Sequence, residues 1–176
     1  MRRGTPPALV TPAATALVTV AQARDQARID STHEDAFLQV LIDAAVADLD
    51  GYSGILGRSI LPQTWRQDFE GWGDLRLALP DVSEVTVTYR DDAGDMQPAE
   101  DAELIADDMG NYVTAEGPET ELVRVQYVAG MPAKDLPRVR QAVLMQVAMR
   151  VDDRIGADGV SLGAMHMIAP LRAHRV

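Results

Sequence analysis

Asp91, Asp92 and Asp95, in the run Asp91-Asp92-Ala93-Gly94-Asp95, gather hard oxygen donors around a glycine. That is a fragment of what a calcium loop uses, but the full ligand spacing and the closing glutamate are missing. Asp and Gly are ordinary turn residues, so the run reads as a hairpin turn. Asp107-Asp108-Met109-Gly110-Asn111 reads the same way. The three histidines, His33, His166 and His174, are scattered between a helix start and the C-terminal segment, and the chain has no cysteine. A zinc site needs clustered nitrogen or sulfur ligands, and none is expected here. Carboxylates are abundant enough to supply a general acid and base, but abundance is not pairing. No GxxxxGKS or GxxxxGKT, GxGxxG or HExxH motif is present. No catalytic arrangement stands out among these residues, and no metal or cofactor is expected. An acidic metal-binding or hydrolytic module is the alternative this chemistry leaves open.

The two tryptophans offer contact rather than catalysis. Trp65 fits a sheet face. Trp72 lies between glycines in Glu70-Gly71-Trp72-Gly73-Asp74 and reads as an exposed loop tip, a candidate interface anchor. Packing back onto its own hairpin is the alternative.

The bulk numbers constrain the class. With 176 residues and 47% apolar content, the chain can build a real core. A net charge of −11 argues against a simple nucleic-acid binder. No apolar run reaches membrane-spanning length, and prolines interrupt the N-terminal segment where a signal peptide would need a continuous apolar stretch. The charge is uneven. Residues 1–18 hold Arg2 and Arg3 and no acid, and residues 156–176 hold Arg172 and Arg175 against Asp158, leaving 12 basic and 26 acidic groups between them. An acidic body with slightly basic, apolar ends suggests terminal arms that dock on other proteins.

Several elements would position these groups. Thr19 and Gln22 have capping-box spacing at the start of a short helix over 19–28. A central helix is expected over 33–52, with Ser31/Glu34 and Thr32/Asp35 at capping distance and a glycine stop at Gly51 or Gly54. Apolar residues cover most of its wheel, so it is expected to be wrapped on several sides, by its own chain or also by a neighbouring subunit. Asp48 falls inside the apolar arc. It lies either at an exposed helix edge or buried; a buried carboxylate needs a partner, and Arg140 of the late helix is the first candidate for a buried ion pair.

From residue 59 to 128 the pattern changes from helical to alternating. Strands are expected over 64–69, 75–79, 82–90, 103–106, 111–115 and 121–128. A second long helix is expected over 138–155, with Pro137 in its first turn. Its wheel has two apolar arcs. Val143, Leu144, Val147, Ala148, Val151 and Ile155 form the larger. Ala142, Met145 and Met149 form the smaller, a candidate contact with either the sheet or another subunit. The last segment, 156–176, carries Val160, Leu162, Met165, Met167, Ile168 and Leu171 among glycines, which suits a segment that orders on a partner.

The expected fold is therefore α+β. It is a small helical bundle built on two long helices, with an inserted antiparallel β-sheet and extended N- and C-terminal arms. Residues 1–155 form the body and 156–176 the tail.

Taken in order, several stretches resemble the bacteriophage head–tail connector (adaptor) family, and most closely the adaptor of gene transfer agents, which are phage-derived particles. They are Leu17-Val18-Thr19-Val20-Ala21-Gln22-Ala23, Glu34 to Leu38, Leu49-Asp50-Gly51-Tyr52, Gly57 through Leu61-Pro62-Gln63-Thr64-Trp65, Val125 to Gly130, and the helix from Leu136-Pro137 to Arg154. The tail matches no general family pattern. The resemblance implies a structural, non-enzymatic protein of the particle neck, assembled in the bacterial cytoplasm. It implies a ring, commonly of twelve copies, beneath the portal protein, joined below to stopper or tail proteins. DNA passes through its channel without sequence-specific binding, and no membrane is involved. By the same resemblance the segment from Val160 to Val176, with Arg172, His174 and Arg175, would dock on the portal. Another neck protein, a stopper or tail terminator, is the alternative; such proteins are commonly richer in β-structure.

Overall fold

A computed structural model describes residues 2–152 and 160–173. The chain divides into two compact units. Met1–Ala14 and Leu61–Gly130 form most of one, and Thr15–Ile60 with Met131–Arg172 form the other.

The first unit is built of strands: β1 (Arg2–Arg3), β2 (Ala8–Thr11), β3 (Gln63–Phe69), β4 (Gly73–Arg76), β5 (Val82–Arg90), β6 (Met96–Pro98), β7 (Glu103–Asp107), β8 (Gly110–Ala115) and β9 (Val123–Ala129). They make a five-stranded sheet ordered β2-β3-β9-β5-β6 and a four-stranded sheet ordered β1-β4-β8-β7. All pairs are antiparallel except β1 with β4.

Period-two patterning places the core. Gln63, Trp65, Gln67 and Phe69 of β3 are buried, as are Val123, Val125, Tyr127 and Ala129 of β9. Leu75, Val113 and Ala115 supply the four-stranded sheet's share. Gln67 is a polar residue in this core, and its amide is satisfied: Oε1 accepts from the Ala78 N–H at 3.0 Å and Nε2 donates toward the Arg76 carbonyl at 3.5 Å. A buried amide without such partners would cost stability.

The second unit is helical: α1 (Val20–Ala27), α2 (Asp35–Leu49), α3 (Leu136–Asp152) and α4 (Leu162–Ile168), with a 3-10 turn over Ala169–Leu171. The Thr19 capping box forms as expected. Thr19 Oγ1 accepts from the Gln22 N–H, and Gln22 Oε1 accepts from the Thr19 N–H. At the other end, Arg28 closes α1 in the left-handed conformation, with φ of 55°.

The expected small helical bundle on two long helices, with an inserted sheet, is not what forms. The two sheets make a compact unit with a core of their own. The helix expected over 33–52 shortens to 15 residues. Ser31 does not cap it: its hydroxyl accepts from the His33 N–H and bends the chain before the helix begins. Nor does its own chain wrap α2 on several sides. It buries Leu38, Ile42, Ala45 and Leu49 along one line. The packed centre is α3, which meets α1, α2 and α4 and buries Val139, Ala142, Val143, Leu144, Gln146, Val147 and Val151.

The extended arms are corrected too. The N-terminal arm pairs as β1 on one sheet and β2 on the other. The described part of the C-terminal arm is helical and packed. Segments that sequence alone reads as seeking a partner have backbone or apolar partners within the same chain.

Candidate functional site

Among the described residues, no three His, Asp or Glu stand together in a way that could hold a metal ion. The candidate functional features are surfaces.

Asp48 has an arginine partner on the late helix, but it is Arg150. The Arg150 Nη2 donates to Asp48 Oδ2 at 2.7 Å. Arg140 instead donates from Nε to the Leu17 carbonyl at 3.0 Å. The expected Asp48–Arg140 pair is therefore replaced by two separate ties. Of the two readings of Asp48, the helix edge is the one that fits, since its side chain keeps 40% of its surface in solvent. Residues 140 and 150 lie nearly three helical turns apart, and which of them lies near Asp48 depends on how α2 and α3 cross.

The smaller arc of α3 faces inward more than outward. Ala142 is fully buried within its unit, so it presents no free surface to another subunit. Met145 and Met149 are half-buried. A β-carbon placed on Gly163 of α4 would sit 3.2 Å from the Met145 methyl. At Met145 the neighbour is α4, a source that the alternatives of sheet or second subunit had left out.

The tail is used in the same way. Ser161 opens α4, its hydroxyl accepting from the Ala164 N–H, while the Ser161 N–H donates to the buried Gln146 Oε1 at 2.8 Å. Ala164, Ile168 and Leu171 are buried. Two arginine–carbonyl bonds fasten the end of the tail to the loop after α2: Arg58 Nη1 donates to Leu171 O at 3.0 Å and Arg172 Nε to Ile55 O at 3.1 Å. Of the expected portal-docking residues, Val160, Met165 and Met167 are half-buried, and Leu162 stands 81% exposed. His174, Arg175 and Val176 lie outside the described residues.

Trp72 is held rather than displayed. Its indole N–H donates to the Pro118 carbonyl, and its ring lies 5.3 Å from that of Tyr89 at a tilt of 59°. Gly117 lies flat against it, where a β-carbon would come within 2.5 Å of Cζ2. The exposed-tip expectation gives way because the Glu116–Glu119 turn folds back over the indole.

Both aspartate-rich runs are turns. Asp91 Oδ1 accepts from the Ala93 and Asp95 N–H groups, and Oδ2 accepts from Gln97. These bonds hold the Asp91 carboxyl below its usual range, the Gln97 bond first. Asp107 is clamped by Arg76 through two bonds of 2.7 and 2.6 Å, and Arg76 itself lies 5.0 Å over the Tyr112 ring. The Arg76 clamp, with the Met109 and Gly110 N–H groups, brings the Asp107 carboxyl down to about 2.

One feature went unread in the sequence, a set of arginines on the outer face of the five-stranded sheet. Asp68 and Arg124 are direct cross-strand neighbours and pair at 2.8 Å. The Asp68 carboxyl is lowered chiefly by the bond to Arg124, with further pull from Arg66 and Arg90. Strict alternation along β3 and β9 puts Arg66, Asp68 and Arg124 on one face, and that was the available signal. On α2, Phe37 and Val40, which the sequence reading placed on the broad apolar wheel, are exposed in the single chain.

No protein-family model matches the chain, and no curated protein matches it. No helix among the described residues is long and apolar enough to cross a membrane.

Proposed function

We propose that this chain is a structural component of the neck of a phage-like particle: a head–tail connector that forms a ring beneath the portal, joins it to stopper or tail proteins and extends the DNA channel. The observation that carries the proposal is on α2, where one line of apolar side chains is buried and a second, including Phe37 and Val40, is left in solvent. A contiguous exposed apolar strip marks a surface that another protein covers. The ordered resemblance over residues 17–155 supports the same reading, as does the net charge of −11. An acidic wall does not grip phosphates, so DNA can slide past it, and charge far from zero keeps unassembled copies soluble.

A second neck role, stopper or tail terminator, gains weight from the two sheets of the first unit, since such proteins are commonly β-rich. The experiment is to tag the chain in particles and image the neck by electron microscopy. A ring directly beneath the portal fits the connector. A ring one layer lower fits the stopper or terminator. A neck lacking the chain in either layer overturns both.

A further inference from the structure

The side chains at 37, 40, 44 and 47 follow the three-then-four spacing that aligns residues along one side of a helix. Phe37 is 45% and Val40 62% exposed, Ala47 is exposed and Ala44 is half-exposed. This line is distinct from the buried one of Leu38, Ile42, Ala45 and Leu49. The strip also has one sign of charge. Three carboxylates, Asp35, Asp43 and Asp48, and no basic residue lie on α2. Asp35 is paired with Arg24 and Asp48 with Arg150. Asp43, one turn from both Val40 and Ala47, is exposed and accepts only the neutral Gln39 amide at 2.8 Å.

The charge limits what can cover the strip. Two copies meeting α2 to α2 would bring Asp43 against Asp43 at the rim of an apolar contact, and like charges juxtaposed there are unfavourable. The occupant must be apolar and free of acid. The chain itself carries such a surface near its N-terminus. Residues 1–18 contain Arg2 and Arg3 and no Asp or Glu. Within them all four residues of the edge strand β2 are exposed, Leu9 at 48% and Val10 at 45%. An edge strand with exposed apolar side chains is a ready contact surface.

We infer that α2 of one copy receives the β2 edge of a second copy, with Phe37 and Val40 against Leu9 and Val10. The two patches differ, so the contact is heterologous: each copy offers one of each, and repetition closes a ring when the rotation allows. The inference rests on the connector reading and assigns the faces that reading requires.

The absence of cysteine makes the test clean. Val10→Cys and Val40→Cys proteins are prepared separately, then mixed under mild oxidation. A disulfide needs α-carbons within about 7 Å, so it reports this contact directly. The mixture is expected to give cross-linked dimer well above either protein alone. Val40→Cys linking chiefly to itself, or a mixture no better than the single proteins, overturns the inference.

Val40→Glu, at an exposed position and checked by an unchanged thermal melt, should weaken self-association in sedimentation by roughly tenfold or more, from lost apolar burial and added repulsion. Unchanged association overturns the inference as well. Incorporation into particles separates the two levels. A Val40→Glu chain built normally into the neck removes this contact and leaves the connector reading standing. A wild-type chain absent from the neck removes the reading itself.

Discussion

Arg150 reaches across 102 residues of sequence to place a guanidinium nitrogen 2.7 Å from the Asp48 carboxylate, joining α3 to α2. Asp48 is the one acid that interrupts the apolar arc of α2, and this is the contact that accommodates it.

The pair is partly solvated, so its worth is modest. A double-mutant cycle of Asp48→Asn with Arg150→Ala should return a coupling of about 0.5–1 kcal/mol in chemical denaturation. The same cycle with Arg140→Ala should return none, because Arg140 bonds the Leu17 carbonyl instead. Coupling to Arg140 and not to Arg150 would mean that α2 and α3 cross differently.

Asp107 should titrate unlike an ordinary aspartate. Its folded value of about 2 lies below the usual 3.8 because Arg76 binds the ionised form. A depressed folded value means that the stabilisation is fully present above about 3.8 and is lost as the pH falls through about 2. Carboxyl-detected NMR titration of the Arg76→Ala protein should move the Asp107 midpoint upward, toward the ordinary value.

The tail should behave as core. Ile168 is fully buried, and Ile168→Ala should cost about 2–4 kcal/mol in unfolding free energy from lost burial and the cavity left behind. Leu162→Ala, at the exposed end of α4, should cost less than about 0.5 kcal/mol. Equal small effects at both positions would show that α4 does not pack as described.

Trp72 should report on its own clasp. Gly117→Ala pushes a methyl into the indole face, so the Trp72 ring must move off Pro118 and Tyr89. Its fluorescence, read in a Trp65→Phe background, should shift to the red as the ring becomes wetter. An unshifted spectrum would place Gly117 elsewhere.

Arg28 occupies a left-handed position at the end of α1, with φ of 55°. A glycine there avoids the clash between the β-carbon and the backbone. Arg28→Gly should raise stability by about 0.5–1 kcal/mol, measured by thermal or denaturant unfolding.

What the sequence determined alone was local. Capping chemistry is decided within three residues, so Thr19 and Gln22 specified the start of α1. Alternation is decided by the pleat, so 82–90 was legible as a strand and the runs at Asp91 and Asp107 as turns. These choices depend on backbone sterics and neighbouring side chains, which are written in order along the chain.

The tertiary structure decided which of several equivalent partners is used. Asp48 had arginines within reach on one helix, and only the crossing of α2 and α3 selects Arg150. The apolar tail could cover itself or a neighbour, and the fold buries Ile168 and Leu171 and fastens the tail through the Arg58 and Arg172 ties. The N-terminal arm carries no pattern stronger than prolines and small residues, yet it supplies strands to both sheets. Hydrophobic burial has no direction of its own. A sequence shows how much apolar surface must be covered, and only the folded chain shows what covers it.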